Sequence, residues 1–448
     1  MAEPTQKHTR RTPIIGMEVH VELKTASKMF CGCANDPFHA PAPNTYTCPV
    51  CLGMPGGLPV ANKKAVEWTI KLGLALGCKV ALFSKFDRKH YFYPDLAKGY
   101  QISQYDQPLC ENGVVHTELG DVRIHRVHLE EDTGKLQHTT IDGKRVSLID
   151  FNRSGVPLVE IVTEPDIHSA EHAKAYAKQI HEIVRTLEIS DADMEKGSMR
   201  LEANISLADD PNVLPNYKVE VKNINSFRFL EHAITFEIAR QDALLNDKKI
   251  PAQETRGWNE EKRTTIVQRS KENAEDYRYF PDPDLPPMTF DAKYVEKLRA
   301  ELPMLPEEKI KKLEDLGIKP EFAQLLSSSE FPLSTLETLF TAAKGKGFEP
   351  NQVASVIINR KLDIRQVKTE HVLEILANTY TKDEVDPKEL ESAVSAVLEE
   401  QPKAVADYKA GKTQVIGFLI GMVSKKLGKK VSPKLLSSIL VRMFSSKY

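Results

Sequence analysis

Residues 14–23 read IIGMEVHVEL, a stretch in which apolar and polar side chains alternate. Such alternation is typical of a β-strand, because successive side chains of a strand point to opposite faces of its sheet. One face of this strand carries Glu18, His20 and Glu22. The other face is apolar and consists of Met17, Val19, Val21 and Leu23. We therefore predict a strand that covers a hydrophobic core with one face and presents acidic and imidazole groups on the other.

Four later segments repeat this pattern. Residues 200–206 (RLEANIS), 218–222 (KVEVK) and 127–130 (VHLE) alternate in the same way, and residues 158–162 (LVEIV) place Glu160 in an otherwise apolar strand. Their polar positions are Arg200, Glu202, Asn204 and Ser206, then Lys218, Glu220 and Lys222, then His128 and Glu130, with Glu131 and Asp132 directly after them. Solvent-facing strands are also polar, but they are commonly rich in threonine. The carboxylates favour a shared site, because a buried carboxylate such as Glu160 needs a cation or a proton nearby.

The chemistry of these residues points to metal ions and phosphates. Clustered carboxylates repel one another unless a metal screens them, and oxygen ligands with one imidazole suit Mg²⁺ or Mn²⁺. An acidic face flanked by arginine and lysine suits a nucleoside triphosphate with its metal ions. The sequence has no GxxxxGK[ST] motif, so any nucleotide site here is not a P-loop.

Four cysteines form two close pairs, Cys31-Gly-Cys33 and Cys48-Pro-Val-Cys51. Pairs of this kind, with glycine and proline at the turns, predict a tetrahedral Zn²⁺ site. Four protein thiolates leave no open position on the metal, so the zinc would be structural; four reduced thiols without metal are the alternative. The remaining cysteines, Cys78 and Cys110, are isolated, and we expect them to be buried small hydrophobic residues.

The composition is that of a soluble globular protein. Of 448 residues, 41% are hydrophobic, and 61 basic side chains nearly balance 63 acidic ones. Residues 401–448 contain ten Lys or Arg and one Asp, which indicates a polyanionic partner, although a solvated lysine-rich helix pair would look the same. No stretch has the roughly 18 apolar residues of a membrane span, and the N-terminal residues lack the apolar core of a secretory signal. We expect a cytoplasmic protein with no membrane partner.

The sequence pattern changes near residue 290. Alternating runs precede that point and helical spacing follows it, and a run of four prolines marks the boundary at Pro281, Pro283, Pro286 and Pro287. Residues 169–187 predict one earlier helix, with Ser169 as N-cap and an apolar stripe that covers a sheet. We predict an α+β protein whose catalytic domain covers residues 1–290. This domain would be an antiparallel-sheet cradle that contains a zinc-stapled loop. A helical domain over 291–370 and a small helical tail domain over 371–448 would follow.

Eight runs of the sequence occur together in one protein family. They are GMEVHVEL at 16–23, KFDRKHYFYPD at 85–95, GYQISQ at 99–104, LEED at 129–132, DFNRSG at 150–155, VEIV at 159–162, VKNINS at 221–226 and DYRYFPDPDLPP at 276–287. With these runs, residues 14–290 resemble the GatB family, the B subunits of aspartyl/glutamyl-tRNA(Asn/Gln) amidotransferases. The tail, with IGFLIG at 416–421, is similar to the family's YqeY-like tRNA-binding domain, though more loosely.

The resemblance implies a two-step reaction on a mischarged tRNA. ATP would phosphorylate the side-chain carboxylate of Glu-tRNA(Gln) or Asp-tRNA(Asn), and ammonia would displace the phosphate to form the amide. The ammonia would come from glutamine in the amidase subunit GatA, and the small subunit GatC would complete a heterotrimer. The implied enzyme is a ligase of protein biosynthesis that uses ATP and Mg²⁺ (or Mn²⁺) beside the structural Zn²⁺. The sequence does not determine which of the two tRNAs is the physiological substrate.

Carried over to this sequence, the resemblance implies His20, Glu131 and Glu160 as metal ligands. It implies catalytic roles for Glu18, Arg200, Glu202 and Lys222. Glu202 is a departure, because the family commonly has the shorter Asp there, and this leaves the residue's metal geometry open. ATP or the tRNA acceptor end would be bound by Lys85, Arg88, Tyr91, Tyr93, Tyr100, Asn204 and Glu220. The body of the tRNA would be bound by Lys425, Lys426, Lys429 and Lys430.

Cations and aromatic rings interleave in the segment from Arg88 to Tyr100. Unpaired bases stack on such rings, so we expect this segment to receive the tRNA acceptor end. Packing of the tyrosines within a tight loop is the alternative.

Two other functions stay open at this point. A non-catalytic tRNA-binding scaffold would keep the fold but would not need the acidic and cationic groups on the polar faces. A stand-alone metallohydrolase would use the histidine and glutamates to activate water and would need no partner.

Overall fold

The structure is a computed structural model that describes residues 11–210, 212–270, 276–328, 331–380, 386–410, 412–428, 431 and 433–447. The chain divides into two compact units, Met1–Glu308 and Lys309–Tyr448, and each is described by itself. None of the described helices is long and apolar enough to span a membrane.

The strands of the described chain all lie in the first unit. They are β1 (Thr12–Glu22), β2 (Lys79–Val80), β3 (Phe83–Ser84), β4 (Asp87–His90), β5 (Tyr100–Ser103), β6 (Cys110–Thr117), β7 (Gly120–Glu131), β8 (Lys135–Ile141), β9 (Lys144–Asp150), β10 (Pro157–Thr163), β11 (Met199–Ala208), β12 (Val219–Ile224), β13 (Glu254–Asn259), β14 (Thr264–Ser270), β15 (Phe280–Pro281) and β16 (Met288–Thr289).

Helices occur in both units. They are α1 (Lys63–Ala75), α2 (Ala170–Thr186), α3 (Phe227–Asn246), α4 (Ala292–Ala300), α5 (Pro306–Asp315), α6 (Pro320–Leu326), α7 (Leu333–Lys344), α8 (Pro350–Asn359), α9 (Thr369–Tyr380), α10 (Pro387–Glu400), α11 (Pro402–Lys409), α12 (Val415–Leu427) and α13 (Pro433–Lys447).

Nine strands form one sheet in the order β14-β13-β12-β11-β1-β10-β7-β6-β2. Neighbouring strands are antiparallel except β12 and β13, which are parallel. The five strands that alternation predicts are neighbours in the sheet, in the order β12-β11-β1-β10-β7. The predicted combination of helices with a largely antiparallel sheet is therefore confirmed.

Helices cover the apolar face of this sheet. Met17, Val19 and Val21 of β1 are fully buried in the core, α2 contacts β1 and β6, and α3 packs against β11 and β12. The helix predicted over 169–187 is α2, and the Ser169 hydroxyl at its N-cap accepts a hydrogen bond from His172 N at 3.1 Å. Since these helices occupy the apolar face, the alternating polar side chains point away from them.

Smaller features complete the first unit. β4, β5 and β15 form a three-stranded sheet, β8 and β9 form a two-stranded ribbon, and β3 pairs with β16. Pro281 lies in β15, which is an edge strand, where proline is tolerated because its missing N–H faces away from the sheet. Cys78 and Cys110 are buried in the core, as predicted.

The second unit is helical over its described residues. One hydrophobic cluster extends along the chain from Leu313 to Leu376, and another extends from Leu390 to Phe444. The two clusters are compatible with two C-terminal domains, but the boundaries at residues 290 and 370 stay a prediction.

Candidate active site

A row of charged side chains crosses four strands on the polar face of the sheet. The strand register pairs Arg200 of β11 with His20 of β1, His20 with Glu160 of β10, and Glu160 with His128 of β7. Glu160 Oε2 lies 3.4 Å from His20 Nε2 and 3.3 Å from His128 Nε2. Directly paired residues share one face of a sheet, so the register brings together groups that are far apart in the sequence.

The surroundings of Glu160 and its two histidine partners favour opposite charges on them. Burial raises a carboxyl pKa, but the charges and hydrogen bonds of His128 and His20 bring the pKa of Glu160 well below its usual value. Burial opposes protonation of His20, but its hydrogen bond with Glu160 and the charge of that carboxylate raise its pKa to about 9. Burial opposes protonation of His128 too, but the charge of Glu160 and hydrogen bonds with Glu130 and Glu160 raise its pKa overall. Without a metal ion, the row therefore favours an ionised Glu160 between positively charged imidazoles.

His20, Glu130 and Glu160 form a first group of potential metal ligands. Their ligand atoms all lie within 4.8 Å of one another. His20 Nδ1 is buried and has no hydrogen-bond partner in the part of the chain that the structure describes. One imidazole with two carboxylates suits Mg²⁺ or Mn²⁺. The structure thus brings together two of the three predicted ligands, His20 and Glu160.

Glu131, the third predicted ligand, is not in this group. It follows Glu130 along β7, and successive side chains of a strand point to opposite faces. Glu131 Oε1 accepts a hydrogen bond from Ile102 N at 3.0 Å and lies 2.6 Å from Lys98 Nζ. Its role as a ligand stays a prediction. The alternation at residues 127–130 already places Glu130 on the face of His128, and this is the signal that identifies it.

Glu18, Glu202 and Glu220 form a second group whose ligand atoms lie within 4.8 Å of one another. Lys222 Nζ lies 2.9 Å from Glu202 Oε2 and 3.5 Å from Glu220 Oε1. Asn204 Nδ2 donates to Glu18 Oε1 at 2.8 Å. All five residues were predicted to belong to the site, and they meet on β1, β11 and β12.

Electrostatics and shape around Glu18 favour a ligand there. Burial raises the pKa of Glu18, and the charges of Glu160 and Glu202 raise it further, so a cation nearby would favour its ionised form. A pocket of about 410 Å³ opens beside Glu18 and Asn204. Its other lining residues include Gly16, Thr163, Tyr217 and Lys218.

Arg200 binds a pair of buried carboxyl groups at the end of the row. Its Nη1 lies 2.8 Å from Asp132 Oδ2 and 3.9 Å from Glu22 Oε1, and Arg153 Nε lies 3.8 Å from the same Asp132 oxygen. Burial raises carboxyl pKa values, but the two arginines lower the pKa of Asp132 overall. Burial and the neighbouring Asp132 raise the pKa of Glu22 to about 8. The pair therefore favours a proton on Glu22 and a negative charge on Asp132.

Arg88, predicted to bind RNA, joins β4 to the segment that follows β15. Its Nε lies 2.8 Å from Asp282 Oδ2 and its Nη2 lies 2.9 Å from Asp284 Oδ2. The guanidinium also lies over the ring of Tyr100, 4.4 Å from the ring centroid. These contacts occupy the guanidinium within the protein, and its role in tRNA binding stays a prediction.

Lys89, the next residue, lies near the first acidic group. Its Nζ lies 5.0 Å from the ring centroid of Tyr277 and 5.9 Å from that of Tyr91. Burial alone would lower the pKa of Lys89, but the charges of Glu130 and Glu160 raise it overall. Alternation along β4, which sends neighbouring side chains to opposite faces, is the signal that distinguishes Lys89 from Arg88.

The other predicted residues of this segment have separate surroundings. Tyr91 donates from its hydroxyl to Gln101 Oε1 at 3.3 Å, whereas the side chain of Tyr93 is exposed. Lys85 forms ion pairs with Asp87 and Asp106. Their predicted contacts with ATP or tRNA stay predictions.

The four cysteines of the predicted zinc site lie together. Cys31, Cys33, Cys48 and Cys51 place their sulfur atoms within 4.8 Å of one another. A hydrogen bond from Cys31 lowers the pKa of Cys51 to about 5, which favours the thiolate that a metal needs. Four sulfur donors in one group fit a single tetrahedral Zn²⁺.

Two of the four predicted lysines of the tail lie in the last turn of α12. Lys425 and Lys426 precede Gly428, which ends the helix in the left-handed conformation at a φ of 62°. Lys426 forms an ion pair with Glu400. Lys429 and Lys430 lie outside the described residues.

Two family models match the chain: the GatB/GatE catalytic domain over residues 13–296 and the GatB domain over residues 341–443. Several similar curated proteins are named as B subunits of an aspartyl/glutamyl-tRNA(Asn/Gln) amidotransferase. The protein from Thermomicrobium roseum is 43% identical, across 95% of this chain and 97% of its own. The protein from Dehalococcoides mccartyi is 42% identical, across 96% and 98%. The protein from Carboxydothermus hydrogenoformans is 41% identical, across 95% and 97%.

Proposed function

Since this chain belongs to the GatB family of tRNA-dependent amidotransferase B subunits, we propose that its polar sheet face activates the side-chain carboxylate of a mischarged tRNA with ATP. The chain is the B subunit of an enzyme of the ligase class that serves translation. Its substrates would be Glu-tRNA(Gln), Asp-tRNA(Asn) or both, and its products the corresponding Gln-tRNA and Asn-tRNA. The observation that carries the proposal is the meeting of two acidic groups with Arg200 and Lys222 on one face of the nine-stranded sheet, with Lys89 of the neighbouring three-stranded sheet close to the first group.

The proposed reaction has two steps. An oxygen of the side-chain carboxylate attacks the γ-phosphorus of ATP, the bond to the bridging oxygen breaks, and ADP leaves. Ammonia then attacks the acyl carbon, the bond from that carbon to the phosphate oxygen breaks, and a proton from nitrogen passes to a nearby base or water. The first step is needed because a carboxylate is a poor electrophile at neutral pH, whereas its acyl phosphate has a good leaving group.

The cations of the site suit the first step. Lys222 lies beside the second acidic group, Arg200 lies at the end of the row, and Lys89 lies near the first group. ATP, the substrate carboxylate and the tRNA end are all anionic, so fixed positive charges would stabilise the phosphoryl group during its transfer. These side chains would position the reactants and offset charge rather than react themselves.

The two acidic groups fit divalent metal ions. His20, Glu130 and Glu160 would hold one Mg²⁺ or Mn²⁺, and Glu18, Glu202 and Glu220 would hold another. When bound, such ions neutralise phosphate charge and orient the transferred group. The crowding of carboxylates around Glu18 favours occupancy by a cation. A structural Zn²⁺ would occupy the four-cysteine site.

The proposed partners follow from the family. GatA would supply ammonia from glutamine, GatC would complete the heterotrimer, and the basic C-terminal residues would bind the tRNA body. We place the enzyme in the cytoplasm, where translation supplies its substrate. A scaffold without activity does not account for the cations that lie near the two acidic groups. A stand-alone hydrolase does not account for the relatives, which are named as one subunit of a larger enzyme.

The test uses the complex of this chain with its partner subunits. Glu160→Gln keeps the shape of the side chain but removes its charge, and we expect amidation and tRNA-dependent ATP hydrolysis to fall by roughly 100-fold or more. Glu164→Gln is the matched control, because Glu164 is 36% exposed, pairs with His125 at 2.7 Å and belongs to neither acidic group. We expect the control to keep wild-type rates.

Three results would contradict the proposal. Wild-type rates in Glu160→Gln would mean that the row of charged side chains around Glu160 does not contribute to the reaction. A wild-type complex that binds mischarged tRNA but hydrolyses no ATP in response would favour the scaffold. Hydrolysis of simple phosphate esters by the isolated chain, without partner or tRNA, would favour the metallohydrolase.

A further inference from the structure

Lys28 is a fully buried cation beside the four-cysteine site. Its side chain is 0% exposed, and its Nζ donates to Tyr46 O at 2.7 Å and to Phe151 O at 3.3 Å. The same Nζ lies 3.8 Å from Cys51 Sγ. No carboxylate of the described chain lies within ion-pair distance of it. A buried ammonium is strongly unfavourable without a negative charge nearby, so we expect an anion next to Lys28.

The four-cysteine site supplies that negative charge when it holds zinc. Four thiolates around one Zn²⁺ carry a net charge of about −2, and an N–H group that points at a ligating sulfur offsets part of it. Lys28 is the cation that contacts Cys51 directly. The favourable arrangement is therefore reciprocal: the cation stabilises the metal-bound thiolates, and these stabilise the buried cation.

The same lysine lies where residues 31–51, which we call the zinc loop, meet segment 150–155. Tyr46 N donates to Asn152 Oδ1 at 2.8 Å, and Asn152 Nδ2 donates to Ala42 O at 2.8 Å. Ser154 Oγ donates to Cys51 O at 3.0 Å. Side chains of the segment therefore bind backbone of the zinc loop at several points, and Lys28 contacts both partners.

The backbone conformation of Gly155 carries the segment past the zinc site. Gly155 has a φ of 86°, which other residues rarely adopt, and an added Cβ would lie 3.5 Å from Cys51 Cβ and 3.6 Å from Lys28 Cδ. Gly155 N also donates to Asp132 O at 2.9 Å. The backbone of the segment thus contacts the zinc site on one side and the candidate active site on the other.

Segment 150–155 reaches the candidate active site through Arg153. Arg153 Nε donates to Thr133 O at 3.0 Å and its Nη2 donates to Gly134 O at 2.8 Å. Its Nε also lies 3.8 Å from Asp132 Oδ2, the oxygen that Arg200 binds. Any movement of the segment therefore moves a contact of Asp132.

We propose that Lys28 is a positioning residue that joins zinc binding to the active site. Its ammonium pairs with the zinc-bound thiolates and holds the zinc loop against segment 150–155, which in turn keeps Arg153 at Asp132. The inference rests on the zinc and active-site assignments made above. It adds that zinc occupancy determines how well ordered segment 150–155, with Arg153, is beside Asp132 of the active site.

The first experiment compares the purified complex of wild type, Lys28→Met and Lys24→Met. Methionine keeps the length of the side chain and removes its charge, and Lys24 is an exposed lysine paired with Asp191 at 3.6 Å. Zinc release into the chelator 4-(2-pyridylazo)resorcinol, with Mg²⁺ in excess, should be roughly 10- to 100-fold faster for Lys28→Met than for wild type. Amide hydrogen exchange in peptides covering 149–155 should also be faster, and excess Zn²⁺ should slow it again. Lys24→Met should match wild type in both measurements.

The second experiment needs no variant, so it also covers a Lys28→Met chain that fails to fold. Zinc is removed from the wild-type complex, and exchange at 149–155 should increase and then recover when Zn²⁺ is restored. Unchanged exchange would overturn the coupling, and equal zinc release from wild type and Lys28→Met would overturn the role of the charge. A wild-type chain that contains no zinc by metal analysis would overturn the zinc assignment itself, whereas the phosphoryl-transfer proposal is tested separately through Glu160.

Discussion

Replacing Arg88 by methionine should destabilise the protein rather than weaken tRNA binding. The Asp282 carboxylate that Arg88 binds is 0% exposed, and Arg88 itself is 17% exposed. Removing one partner of a buried ion pair costs about 3–5 kcal/mol, because the other charge stays buried without compensation. Asp284 is 38% exposed and can be solvated, so we expect the lower end of that range, about 3 kcal/mol. For a unit of this size, that corresponds to a decrease in Tm of roughly 6 °C.

Calorimetry of the full chain measures this Tm, and a filter-binding assay measures the Kd for mischarged tRNA. The matched control is Arg145→Met, because Arg145 is exposed on the β8–β9 ribbon. We also expect Arg88→Met and Asp282→Asn to be non-additive, since the second change removes the charge that the first leaves unpaired. A Tm within about 1 °C of the control, together with a tenfold weaker Kd, would refute this reasoning and make Arg88 a direct RNA contact.

Two further predictions concern the metal site and the tail. Glu130→Gln should weaken Mn²⁺ binding at least 10-fold, as measured by calorimetric titration. Glu131→Gln, which removes the ion-pair partner of Lys98, should change the Mn²⁺ affinity less than about threefold. A larger effect of Glu131→Gln than of Glu130→Gln would make Glu131 the ligand. Replacing Lys425 and Lys426 by glutamine should weaken tRNA binding and reduce the slope of log Kd against log salt by up to about 2, and an unchanged slope would mean that neither lysine contacts phosphate.

Alternation in the sequence predicted five of the sixteen described strands and the faces of those five. β1, β7, β10, β11 and β12 all form where the pattern predicts them, and α2 begins at its predicted cap. These features depend on local periodicity and on capping chemistry, and both can be read from neighbouring residues. Close pairs of cysteines are likewise a local signal, and their sulfur atoms do meet.

Contacts between residues far apart in the sequence could not be predicted from the same local patterns. Arg88 was interpreted as a cation for the tRNA acceptor end, and its ion-pair partner Asp282 lies 194 residues away along the chain. Lys28 carries no local sign of burial, because the zinc loop and segment 150–155 cover it only in the folded chain. The strand period at the end of β7 places Glu130 on the face of His128, whereas the resemblance implied Glu131, whose role as a ligand stays a prediction.

The geometry of the active site depends on the hydrophobic core on the opposite face of the same sheet. Val19 of β1 is fully buried and pairs with Ile161 of β10, which is fully buried too. A shift of β1 by one residue would turn His20 into that core and expose Val19, so burial of the apolar face strongly fixes the register. The same register places His20 opposite Glu160. Packing on one face of the sheet therefore holds the charged groups in register on the other, without any requirement that those groups attract one another.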